Sequence, residues 1–315
     1  MTKVISDIAP AVNLLKQNEV VAIPTETVYG LAGNAFSEMA VSKIFEAKNR
    51  PSFDPLIVHI ASFEMLDKVA AKVPNQYLKV MEKCWPGPLT LLFEKSAKIP
   101  DLVTSGSDKV AVRWPQHPVM QTILESLDFP LAAPSANPFG YISPTSAQHV
   151  LNQLEGKIPC IVDGGESQVG VESTILDYTQ TGWVVLRLGG ISVEQIEEVV
   201  GEKVSVNVSS SRPQAPGMLD QHYAPKTKLS FGDIEMAKTK YTEKNWIALT
   251  LTPQGIYPHN AFLSATGNLQ EAAANLFKVM RRLDDENWDI ILAEKMPDMG
   301  LGRAINDRLF RASIK

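Results

Sequence analysis

Lys48 and Arg50 stand at the end of a helix-period run, Val41, Ile44, Phe45 and Lys48, which Pro51 closes before an apolar strand opens at Leu56. The residue before a proline is pushed out of the helical region, so Arg50 is expected in extended backbone at the mouth of the strand Leu56 to Ile60. Arg113 in VAVRWP and Arg187 in WVVLRLGG lie among apolar residues, where a guanidinium requires a fixed anion. Short hydrogen-bonding side chains gather at three further places: Thr25, Glu26, Thr27 and Tyr29 in PTETVYGL, Ser135 and Asn137 in APSANPFG, and Ser143 and Thr145 in ISPTSAQ. A cavity of cations and hydroxyls suits phosphates and carboxylates handled by positioning and charge stabilisation, with no covalent intermediate on the protein. Each piece also has a plainer reading. Lys48 to Pro51 fits a solvated turn, Arg113 fits an internal ion pair, and turn chemistry by itself selects serine and asparagine beside prolines.

Other chemistries lack their residues. There is no G-x-x-x-x-G-K-[ST], H-E-x-x-H, G-x-S-x-G or paired C-x-x-C, and the five histidines, His59, His117, His149, His222 and His259, show no ligand spacing, so no protein metal site is expected. Cys84 and Cys160 are too far apart in sequence to suggest a disulfide framework and read as core thiols. A net charge of −5 argues against a general nucleic-acid surface, since phosphate neutralisation wants a basic face. With 44% hydrophobic and 21% charged residues the composition is that of a soluble globular enzyme, and no apolar run approaches the ~20 residues of a membrane span. The N-terminus MTKVISDIAP lacks the apolar core and cleavage site of a signal peptide, so a cytoplasmic location is expected.

The elements that must position these groups alternate between strand and helix. A helix over 8–17 precedes a buried strand Val20 to Ile23, a polar loop from Pro24 to Leu31, and a helix capped by Ser37. Helices over 62–71 and 75–84 lead through Pro86, Gly87 and Pro88 into a strand ending at Phe93. Strands at Val110 to Pro115 and Cys160 to Asp163 follow. From Ser209 to Pro225 serine, proline and glycine accumulate, marking a stiff linker. The chain therefore divides into a domain over 1–205, a linker over 206–226 and a smaller α/β domain over 227–315. In the last, the helix 269–284 has an apolar face and nothing reads as catalytic. GLGRAIND, from Gly300, lacks the third glycine and the preceding strand of a dinucleotide loop.

Taken in order, Lys48-x-Arg50, Ser135-x-Asn137, PTETVYGL and VESTILDY resemble the YrdC-like threonylcarbamoyl-AMP synthases, and the linker with its second domain resembles the long form of that family. The resemblance implies an α/β fold with a twisted mixed sheet in the catalytic domain and a Rossmann-like second domain. It implies a nucleotidyltransferase that joins L-threonine, bicarbonate and ATP into threonylcarbamoyl-adenylate with release of pyrophosphate. The product serves a downstream enzyme that modifies tRNA adenosine. Direct tRNA binding is left open, and magnesium is expected with ATP and pyrophosphate rather than in a protein cage. Thr27, His59, Arg113, Ala133 and Ser173 match threonine-contacting positions, and Lys48, Arg50, Asp54, Lys109, Ser135, Asn137, Ser143, Arg187 and Tyr223 match the ATP side, with Lys48 and Arg50 central to the chemistry. Arg113 would hold the threonine carboxylate. Asp54 replaces a commoner asparagine, Lys109 a usual threonine, and Leu219, Asp220 and Gln221 the basic and aromatic residues usual before His222. Tyr223 and the linker would form a lid over the nucleotide.

Two other functions compete. One is a carbamoyl-adenylate-forming module, whose known carriers have zinc-finger or kinase-like domains for which this sequence has no counterpart. The other is a non-catalytic RNA-binding protein, which the acidic balance disfavours.

Overall fold

The computed structural model describes residues 1–208 and 222–314; most of the expected linker, including Pro213, Pro216, Gly217, Leu219, Asp220 and Gln221, lies outside the described residues. Among the described residues, eleven strands form one mixed sheet. In spatial order they are Lys3–Ile5, Cys160–Val162, Val21–Ile23, Gly30–Asn34, Leu131–Ala132, Ile57–His59, Lys109–Arg113, Leu89–Glu94, Thr174–Thr179, Gly182–Arg187 and Ser205–Val206. Ile57–His59 runs parallel to Lys109–Arg113 and antiparallel to Leu131–Ala132. The strands Val21–Ile23 and Ile57–His59 are buried along their whole length, so they read as unbroken apolar runs without alternation.

One local expectation is corrected. The segment read as a loop up to Leu31 turns back at Gly30 into the strand Gly30–Asn34, antiparallel to Val21–Ile23, before the helix Glu38–Lys48 begins. Small residues hid this strand, because glycine and alanine carry little β-propensity of their own. The helix that follows is capped by the Ser37 hydroxyl, which accepts from the Ala40 amide at 3.3 Å, and it ends at Asn49 in the left-handed conformation.

A second sheet has four parallel strands in the order Lys228–Gly232, Ile290–Glu294, Trp246–Thr250 and Asn260–Phe262. Helix Leu269–Asp285 buries Ala272, Ala273, Leu276, Phe277 and Met280 against it. The chain then forms a helix that the sequence did not announce, Leu301–Ser313, opening at Gly300 with φ 52°. Its apolar stripe of Ile305, Leu309 and Ala312 is obscured by Asn306, Arg308 and Arg311, which are buried as well.

The two halves share a core. Val28, Ile142 and Val171 of the first pack in one cluster with Phe277, Leu309 and their neighbours of the second. Gly170, at φ +74°, passes so close to helix Leu269–Asp285 that a Cβ there would lie 2.4 Å from Ala274 Cα, so only glycine permits this approach. Arg281 from the same helix donates to the carbonyls of Ser143, at 3.2 Å, and Ile142.

Candidate active site

One cavity collects residues from distant parts of the chain, among them Thr27, Arg50, His59, Arg113, Ser173 and Arg187. Arg113 ends its strand beside His59, to which it is paired in parallel register. Its Nη1 donates to Thr27 Oγ1 at 2.8 Å and its Nη2 lies 2.7 Å from Glu26 Oε1. Burial by itself raises the Glu26 carboxyl, but Arg113 outweighs it and holds the group below its ordinary value. Burial, reinforced by Arg113, pushes His59 down to about 3, and its Nδ1 has no hydrogen-bond partner in the cavity wall. His59 is a neutral imidazole with capacity to spare. Ala133 and Ser173 line the same space, so all five expected threonine-side positions converge.

Arg187 is aimed by an irregularity. The register of Gly182–Arg187 against Thr174–Thr179 shifts between Val185 and Arg187, a bulge that redirects the side chain. Its Nε and Nη2 donate to the carbonyl and hydroxyl of Ser173, each at 3.0 Å, and burial lowers the guanidinium to about 10.

Behind the wall lies a supporting layer. Lys48 is 1% exposed, and its Nζ donates to the carbonyl of Ser135 at 2.5 Å and to that of Asn137. Burial first, then Arg50, holds Lys48 well below the ordinary lysine value, with Asp54 opposing. Arg50 reaches the cavity while donating to the carbonyls of Asp54 and Pro55, and its Nη2 is 2.8 Å from Asp54 Oδ2. Burial raises the Asp54 carboxyl despite Arg50, and neither of its oxygens has a well-directed hydrogen bond. The Asn137 amide donates to the carbonyls of Pro138 and Tyr141, which shapes the loop carrying Ser135 into the cavity. Ser143 Oγ donates to Glu172 Oε1 at 2.6 Å.

Lys109 does not join this cluster. It stands at the opposite end of the strand from Arg113, roughly 13 Å away at the rise of an extended chain, and pairs with Asp177 at 2.5 Å. It lines a separate hollow with Tyr77 and Tyr178.

The roof comes from the end of the linker segment, backed by the second domain. Tyr223, at φ 63° and 1% exposed, lines the cavity beside His222 and stacks on Phe277 with centroids 5.5 Å apart. Burial raises the Tyr223 phenol to about 12, while burial lowers His222 to about 3. Two members of the site went unread in the sequence. Glu172 lines the cavity, and Arg308, 0% exposed on the unannounced helix, donates its Nε to Glu172 Oε2 at 3.0 Å. A signal for Glu172 existed: an acid inside VESTILDY raises the same question as an arginine inside VAVRWP.

Residues 13–189 match the family model described as "Telomere recombination", which groups Sua5, YciO and YrdC, and residues 191–313 match "Threonylcarbamoyl-AMP synthase, C-terminal domain". The chain is 42% identical over 315 residues to the threonylcarbamoyl-AMP synthase of Pyrococcus abyssi, covering 96% of this chain and 93% of that protein. The chain belongs to the threonylcarbamoyl-AMP synthase family. A second relative of that name, from Bacillus subtilis, is 40% identical, with 97% of this chain and 92% of the relative covered. The crystal structure of P. abyssi Sua5 complexed with L-threonine superposes with a TM-score of 0.90 at 42% identity, covering 97% of this chain and 94% of that one. The two family models meet at residue 190, before the strand Ser205–Val206 that still belongs to the large sheet.

Proposed function

We infer that this cavity makes L-threonylcarbamoyl-adenylate from L-threonine, bicarbonate and ATP, releasing pyrophosphate. The observation that carries the reading is the convergence of Arg113, Thr27 and His59 with Arg50 and Arg187 in one space, in a chain of this family. Arg113 and Thr27 receive the threonine carboxylate and hydroxyl, while the neutral imidazole of His59 leaves the amine uncharged company. The amine captures carbon dioxide, and an oxygen of the resulting carbamate attacks the α-phosphorus as the bond to pyrophosphate breaks. All reacting partners are anionic, and Arg50 and Arg187 in the cavity wall, with Lys48 behind them, offset their repulsion and the charge that grows on the leaving group. Magnesium enters with ATP as part of the substrate.

Tyr223 closes the nucleotide side, which protects a labile mixed anhydride from water. The adenylate passes to a threonylcarbamoyl-transfer enzyme acting on tRNA, in the cytoplasm where ATP and tRNA meet. Among the described residues no helix is long and apolar enough to cross a membrane.

The test is pyrophosphate release from ATP and bicarbonate with each amino acid in turn. Threonine should exceed serine and alanine clearly. Equal release with all three would reject the reading, and release without any amino acid but with carbamoyl phosphate would favour the carbamoyl-transfer alternative.

A further inference from the structure

Arg308 makes no contact that the chemistry requires, yet much of the cavity wall leans on it. It reaches Glu172 across 136 residues of sequence, from helix Leu301–Ser313. Besides the 3.0 Å bond to Glu172 Oε2, its Nη2 donates to the Leu188 carbonyl at 2.7 Å and its Nη1 to Asp307 at 2.7 Å. The guanidinium also lies 5.1 Å from the centre of the Tyr223 ring. Glu172 accepts the Ser143 hydroxyl with its other oxygen. Burial raises the Glu172 carboxyl, but Arg308 and, after it, Arg187 outweigh burial and keep the group charged. Without Arg308 the Glu172 carboxylate would be buried without its main partner, and the next cation acting on it is Arg187.

We propose that Arg308 is a positioning residue for nucleotide binding: it holds the Glu172 carboxylate on the Ser143 side of the cavity, out of competition with the nucleotide phosphates for Arg187, and backs the Tyr223 ring. The second domain thereby contributes to a site whose reacting groups all lie in the first. The inference rests on the proposed function for the identity of the nucleotide, and its test reads binding separately from turnover.

ATP binding to the full chain is measured by calorimetry for the unaltered protein and for Arg308→Met, Glu172→Gln and the double variant. Coupled residues in one network interact strongly, so Arg308→Met should weaken ATP binding on the order of tenfold, and adding Glu172→Gln should restore most of it. Threonine binding should weaken several-fold less than ATP binding in the same variants, because its link to this network runs only through the Arg187 bonds to Ser173. Should Arg308→Met not fold, the double variant removes both buried charges together, and it should bind ATP as Glu172→Gln alone does. Arg308→Lys should recover little, because an ammonium cannot span Glu172 and the Leu188 carbonyl as the fork does. Additive losses from the two substitutions, equal weakening of ATP and threonine, or a double variant that binds ATP far worse than Glu172→Gln would overturn the proposal. An unaltered chain that binds ATP yet shows no threonine-dependent pyrophosphate release would reject the proposed function and leave this inference standing on the binding data.

Discussion

Arg113 and Glu26 face each other at 2.7 Å, yet neither Glu26 oxygen nor Arg113 Nη2 has a well-directed hydrogen bond in that contact. The pair is close without being well formed. A ligand carboxylate offering in-plane oxygens supplies what Glu26 does not. Arg113→Ala should therefore raise the threonine requirement by well over tenfold, since truncating one side of a desolvated ion pair costs ~2–5 kcal/mol, and should leave ATP binding less affected. Steady-state kinetics with each substrate varied in turn checks it. Equal loss for both substrates would assign Arg113 to the Glu26 contact alone.

Lys48 leads to a second prediction. Its Nζ donates to two backbone carbonyls, and burial first, then Arg50, holds the group well below the ordinary lysine value. An incoming polyanion reverses that balance and raises the value again. ATP binding should thus favour the charged Lys48, and proton uptake on binding, seen as a dependence of the calorimetric heat on the ionisation enthalpy of the buffer, should grow as pH rises through the depressed Lys48 value. Lys48→Met should abolish the uptake and slow turnover. Heats independent of buffer in the unaltered protein would show that Lys48 is charged before ATP arrives.

Acid should destabilise the protein earlier than its carboxylates alone would dictate. His59 and His222 are pushed down to about 3, in both cases mainly by burial, against about 6.5 in an unfolded chain. Between those values the unfolded chain binds protons that the folded one refuses, so their contribution is whole above pH ~6.5 and is lost as pH falls toward 3. At pH 5 the loss is on the order of 2 kcal/mol for each. Denaturant unfolding at pH 7.5, 6 and 5 should show it, and His222→Gln should reduce the slope. A flat profile over that range would contradict the assignment.

The lid can be tested by removing what supports it. Ending the chain after residue 205 takes away Tyr223 and Arg308 and leaves Val28, Ile142 and Val171 without the partners of their cluster. The shortened protein should melt lower, bind ATP more weakly and lose adenylate to water faster. Tyr223→Ala in the full chain should reproduce the ATP and adenylate defects, with a stability cost of ~3–5 kcal/mol from the vacated ring. A shortened chain equal to the full one in ATP affinity and adenylate retention would reduce the second domain to an appendage.

Local chemistry determined much of this from sequence alone. Ser37 as cap, the helix ending in Lys48, the apolar runs Leu56 to Ile60 and Val110 to Pro115, and the guanidinium of Arg113 among apolar residues are all statements about neighbours within a few positions, which propensity and desolvation resolve. The ordered motifs added the family, and with it the convergence of Thr27, His59, Arg113, Ala133 and Ser173. Tertiary structure alone decided which of two residues on one strand reaches the cavity: Arg113 does and Lys109 does not, because they lie at opposite ends of it. It also decided what lies behind the cavity wall. Glu172 and Arg308 are 136 residues apart, and an ion pair at that separation leaves no periodic trace, since its attraction depends on where two domains dock and not on either residue's own surroundings in the chain. The helix that carries Arg308 escaped notice for the same reason: its polar residues are buried against another domain, so its sequence does not divide into a wet face and a dry one.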